Sequence, residues 1–106
     1  MAFTSLRELE EREVFPGFRG RFVHTDNMTF VYWVIEAGAP LPPHSHPHEQ
    51  VAHMFEGRFE LTIGDTTRIL EPGAVAAIPS NIVHSGKALT RCRIMDAFCP
   101  VREDYR

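Results

Sequence analysis

The sequence predicts an all-β sandwich or barrel, and three observations carry that expectation. Turn signals recur every eight to twelve residues. The segments between them are short and rich in Val, Ile, Phe and Thr. Only "SLRELEER" (5–12) has a helical pattern, and its Leu6 and Leu9 make a weak apolar face beside a charge cluster. Many short strands with regular turns build sandwiches and barrels rather than helical or mixed folds.

In chain order, residues 1–13 are expected to form an N-terminal arm, a short helix or irregular chain, and 14–106 a single barrel domain. "FPGF" (15–18), "EAGAPLPP" (36–43), "EGR" (56–58), "GDTT" (64–67), "EPG" (71–73) and "IPSN" (78–81) are the turns. Pro-Gly in "EPG" suits the two central positions of a type II turn, and Gly-Asp suits a tight hairpin. Between the turns, "MTFVYWVIE", "QVAHMFE", "RFELTIG", "TRILE", "AVAAIP" and "CRIMDAFC" read as strands. In "RFELTI" the alternation puts Phe59, Leu61 and Ile63 on one face and Glu60 and Thr62 on the other. "MTFVYWVI" is apolar at both parities, which predicts that both of its faces are covered, one of them by a second copy in a homodimer.

A chain of 106 residues buries roughly 60–70% of its unfolded surface around one core. The net charge of -3 and the lack of a basic patch argue against nucleic acid or an anionic membrane as partner. No apolar run reaches the ~18 residues of a membrane span, and the charged start "MAFTSLRELEEREV" lacks a signal peptide's apolar stretch. A cytoplasmic location is the expectation. Cys92 and Cys99, at the ends of one strand, would lie roughly 23 Å apart on opposite faces. That excludes a disulfide between them and predicts free thiols.

"PPHSHPHEQVAH" (42–53) places four of the six histidines within ten positions. On a strand, every second side chain shares a face, so His44 and His46 can chelate one ion if other strands complete the set. Gln50 opens the next strand, and His84 follows the "IPSN" turn. His48 falls in the turn and His53 on the opposite face of its strand, while His24 lies in the turn-like "VHTDN" at the surface.

The spacing Gly38-x5-His44-x-His46-x3-Gln50-x6-Gly57 resembles the first cupin motif, and Gly73-x5-Pro79-x4-His84 resembles the second. Resemblance to cupins implies a small double-sheet β-barrel of the jelly-roll type. It also implies one divalent transition metal (nickel, zinc, iron, manganese or copper) held by His44, His46, Gln50 and His84. Glutamine stands where glutamate is usual, Asn81 where glycine is usual, and Ala88 where asparagine is frequent. The neighbouring Glu49 lacks the required spacing. Three imidazoles and an amide are all neutral, so a divalent ion keeps its full charge and its strength as a Lewis acid.

"MDAFCPVREDY" (95–105) raises a second question. Cys92, Ile94, Asp96 and Phe98 share one strand face, and an inward carboxylate is costly unless paired or functional. Pairing with Arg102 is the bland account. Together with "PPHSHPHEQVAHMFEGRFELTIGD", the ending "DAFCPVREDY" resembles the KdgF-type pectin-degradation cupins, which linearise 4,5-unsaturated uronates. That resemblance implies an anionic sugar acid as substrate and a pocket lined by Asp96, Phe98 and Arg102. Asp96 would act as proton relay, Phe98 as a wall, and Arg102 as a carboxylate grip or a support for Asp96. An Fe(II)-dependent dioxygenase and a non-catalytic metabolite-binding cupin remain as alternatives, because imidazole ligands accept several metals.

Overall fold

A computed structural model, describing residues 2–106, builds the chain from ten strands, all paired antiparallel. They are β1 (Arg12–Phe15), β2 (Phe18–His24), β3 (Thr29–Ile35), β4 (Pro40–His44) and β5 (Glu49–Glu56). The second half supplies β6 (Phe59–Ile63), β7 (Thr66–Leu70), β8 (Val75–Ile78), β9 (His84–Ala88) and β10 (Cys92–Cys99). A six-stranded sheet runs β1-β2-β3-β10-β5-β8 and a four-stranded sheet β4-β9-β6-β7.

Two-residue turns set the register at both hairpins whose chemistry was legible. Phe15 pairs with Phe18 across Pro16-Gly17, and Ile63 with Thr66 across Gly64-Asp65. The "EPG" turn closes with the Ala74 amide donating to the Glu71 carbonyl. Gly57 answers to a close approach as well as to its φ of 85°. A Cβ there would lie 2.2 Å from the Arg91 carbonyl oxygen, so no side chain fits.

The core lies between the sheets. Phe18, Val31, Trp33, Ile35, Met54, Phe59, Leu61, Ile78, Ile94 and Phe98 are all buried there. Along β10 the alternation is complete: Cys92, Ile94, Asp96 and Phe98 are buried, whereas Arg93 and Cys99 are exposed. Both cysteines are free.

Three features take a definite form. The N-terminal arm contains one 3-10 turn at Leu6–Glu8, with no buried residue. In β3 only the Thr29, Val31, Trp33, Ile35 face is buried, and Phe30, Tyr32 and Val34 are half-buried. His46 lies beyond the end of β4, in the extended link to β5. No helix of the described residues is long and apolar enough to cross a membrane.

Candidate metal centre

β4 ends at His44, directly across from His84, the first residue of β9. The link after β4 turns back so that His46 faces both, and β5 then begins with Glu49 and Gln50. The ring centroids of His44 and His84 are 4.2 Å apart, and those of His46 and His84 5.0 Å. One nitrogen from each of the three rings lies within 4.8 Å of the others, a group that could hold a metal ion.

Each ring is oriented by its own backbone. His44 Nδ1 donates to the Pro42 carbonyl at 2.8 Å, His46 Nδ1 to His48 at 3.0 Å and His84 Nδ1 to Ile82 at 3.0 Å. A carbonyl only accepts, so Nδ1 carries the proton in every case. Nε2 is then left as a bare lone pair, the tautomer that binds metal. Burial pushes the His46 and His84 imidazoles below their ordinary range, and the Arg102 charge adds to the effect. Both rings are therefore neutral at pH 7.

Two further observations fit a cation at this point. His84 Nε2 is buried with no hydrogen-bond partner. His46 Nε2 also faces Gln50 Oε1 at 3.1 Å, so two acceptors are aimed toward one place. Donors on adjacent positions of one ion, at ~2.1 Å each, lie ~3 Å apart. The donor set, nitrogen with at most a neutral oxygen, suits a divalent transition metal better than calcium or magnesium.

Asp96 sits on β10 opposite Ala52 and Val31, buried among apolar neighbours. Trp33 Nε1 donates to its Oδ2 at 2.9 Å, whereas Oδ1 is buried with no hydrogen-bond partner. Burial pushes the carboxyl up to about 6, against the pull of the Gln50 amide, the Trp33 N–H and the Arg102 charge. Gln50 thus stands between the histidines and Asp96.

Arg102 does not pair with Asp96. Its Nε and Nη2 donate to the two oxygens of Asp104 at 3.0 and 2.7 Å. Its guanidinium lies 4.9 Å from the Phe98 ring centre and 4.2 Å from that of Tyr105. Phe98 is buried, and its ring meets His46 at 5.7 Å. His48 also packs its ring on His46 and Phe98. His53 occupies the other face of β5, opposite Met95 and Val75. His24 is half-buried rather than at the surface, with Nδ1 2.8 Å from Thr29 Oγ1.

Sequence reasoning missed Trp33 and Tyr105. Trp33 supplies the donor to Asp96, and Tyr105 packs against Trp33, Phe98 and Arg102. For Trp33 there was a signal: it shares the inward parity of Val31 and Ile35 and carries an N–H that burial obliges to find an acceptor.

A cavity of about 50 Å³ runs from His44 and His84 past Gln50 and Asp96 into the apolar core. That is room for a few waters. An open cleft of about 630 Å³ adjoins it and shares His44, Phe15, Leu41, Arg102 and Tyr105 with it. The cleft is of a size for a small-molecule ligand.

Two antiparallel sheets that gather three imidazoles at one end make a β-barrel with a group that could hold a metal ion. The chain belongs to the cupin family, with residues 31–98 matching its Cupin domain pattern. It is similar to the pectin degradation protein KdgF of Dickeya dadantii, at 31% identity over 76% of each chain. The solved structure of KdgF from a Halomonas species matches at a TM-score of 0.93 and 28% identity, covering 100% of this chain and 99% of that one. An RmlC-like cupin from Shewanella frigidimarina matches the fold at a TM-score of 0.95 and 23% identity, over 100% and 96% of the two chains.

Proposed function

We propose that this cupin is a metal-dependent isomerase that opens the ring of a 4,5-unsaturated uronate or a similar small sugar acid. Its candidate ligands are His44, His46, Gln50 and His84, and its proton relay is Asp96. The observation that carries the reading is Asp96: a buried carboxyl with one unpartnered oxygen, pushed up to about 6, beside the histidine group. A group titrating near working pH can both take and return a proton. Similarity to a pectin degradation protein supports the substrate class.

In the ring-closed substrate, Asp96 takes the proton of the anomeric hydroxyl. The carbonyl forms at C1 as the C1–O5 bond breaks, and its electron pair goes to O5. Asp96 returns the proton to C4, and the C4–C5 enol becomes the C5 ketone, so atoms and charge balance. Trp33 holds the Asp96 carboxylate in place, and Phe98 walls the sugar. A divalent ion held by the histidines would supply Lewis acidity, orienting substrate oxygens and stabilising the negative charge of ring opening.

The test is a metal-replete assay on unsaturated mono-uronates, following the loss of their ultraviolet absorbance. Chelator should abolish turnover and added metal restore it. Asp96→Asn should lower kcat by about 10²–10⁴-fold with metal content unchanged. Near-normal activity in that variant overturns the relay, and oxygen uptake with Fe(II) in place of isomerisation points to dioxygenase chemistry. The reading also has the protein working as a homodimer in the cytoplasm, free of nucleic acid and membrane.

A further inference from the structure

An anionic substrate needs a cation to meet its carboxylate, and the obvious one is committed. Arg102 spends the Nε and Nη2 of its planar fork on Asp104. A bidentate arginine–carboxylate pair of this kind is already matched in charge and geometry. A second carboxylate there would place two negative charges on one guanidinium.

Arg12 stands across the same cleft. Its register partner is Gly20, so its side chain projects to the concave side of the six-stranded sheet, the side of Phe18 and Phe22. The guanidinium lies 4.2 Å from the Phe22 ring centre and donates from Nη2 to the Tyr105 carbonyl. Among the described residues it has no carboxylate within 4.0 Å, unlike Arg19, Arg21, Arg58, Arg93, Arg102 and Arg106. The other charges lining the cleft are spoken for. Glu13 points to the opposite face of β1 and accepts the Gly17 amide, and Asp104 is taken by Arg102. One uncompensated positive charge therefore faces a cleft that opens onto His44.

We propose that Arg12 is the residue that recognises the substrate carboxylate, fixing the sugar acid in the cleft with its anomeric end toward His44 and Asp96. This assignment rests on the uronate reading given above. The ordinary alternative is that Arg12 only straps the C-terminal turn to β1 through the Tyr105 carbonyl.

The two roles separate on an acid and its ester. On an unsaturated uronate, Arg12→Gln should raise KM about 10- to 100-fold, the worth of a charge-assisted hydrogen bond, with the loss falling on KM more than on kcat. On the methyl ester of the same sugar, KM should change by less than about threefold. A strap would instead impair acid and ester alike, and that outcome, or no change in either, overturns the proposal. Calorimetric titration of the metal-loaded protein with saturated glucuronate and its methyl ester gives a reading independent of turnover. If Arg12-dependent, acid-selective binding is seen without turnover of unsaturated uronates, the isomerase reading falls and the Arg12 site stands. If turnover persists without acid-selective loss in Arg12→Gln, the reverse holds. If the wild-type protein does not prefer the acid to the ester, Arg12 has no such role.

Discussion

Asp96 couples the chemistry of the site to the stability of the barrel. Its carboxyl rises from 3.8 to about 6 on folding, so the folded chain binds that proton more tightly than the unfolded one. The stability this confers is full below the unfolded pKa near 3.8. It is lost as pH rises through about 6, by at most about 3 kcal/mol. His46 and His84 work in the other direction, since burial lowers their pKa and their contribution is lost as pH falls. A comparison of wild type with Asp96→Asn isolates the carboxyl. In metal-free protein, urea midpoints at pH 4 and pH 7.5 should show the variant gaining relative stability at the higher pH. A pH-independent difference between the two proteins would mean that folding does not raise the Asp96 carboxyl above its ordinary range. A carboxylate that is costly to bury fits the proton-relay role proposed for Asp96.

At the scale of elements, legibility followed whether a strand's fitness lies in its own side chains or in its neighbours'. β3, β5, β6 and β10 carry alternating or densely apolar residues and were readable as strands. β4 was hidden by the prolines of "PLPPH", which a strand tolerates here because β4 is an edge of the four-stranded sheet. β9, "HSGKA", looks like a loop. It nonetheless lies between β4 and β6, and a Cβ on Gly86 would fall 2.4 Å from the Phe59 ring. Gly86 stands bare because a core aromatic lies over it, a fact no local pattern contains. The histidine spacing was legible since the motif is local on one side and punctuated by turns on the other. Asn81 stands in for glycine at a φ of 64°, a conformation asparagine tolerates better than most. Trp33, Tyr105 and Arg12 join the site only through pairing across the sheet and a C-terminal turn. Gly86→Ala tests the argument at this scale. It should lower stability by about 1–3 kcal/mol and, because β9 carries His84, weaken metal binding too. Denaturant midpoints and metal titration would show this, and a fully stable variant would mean that Phe59 does not constrain β9.

The outer face of the six-stranded sheet is apolar, and the fold does not cover it. On the outer side of the six-stranded sheet, Arg21, Tyr32, Met95, His53 and Val75 form one cross-strand row, and Val23, Phe30, Ala97, Val51 and Ala77 the next. Phe30, Tyr32, Met95 and Val51 are half-buried by their neighbours alone, and Val75 is 61% exposed. The metal-side residues all lie on the inner face, so covering the outer one leaves the cleft free. A two-fold pairing brings the same patch of each copy together, which suits a face whose centre is apolar and whose edges carry Arg21 and Arg93. A stable pair buries about 1,200–2,000 Å² in total, an area that rows of this length across five strands can supply. Light scattering at micromolar concentration should therefore report a dimer. Tyr32→Asp, which puts a charge at the centre of the face and touches nothing inside the barrel, should give a folded monomer that retains its metal site. A wild-type monomer, or a Tyr32→Asp dimer, would place the contact elsewhere and leave the apolar outer face without this explanation.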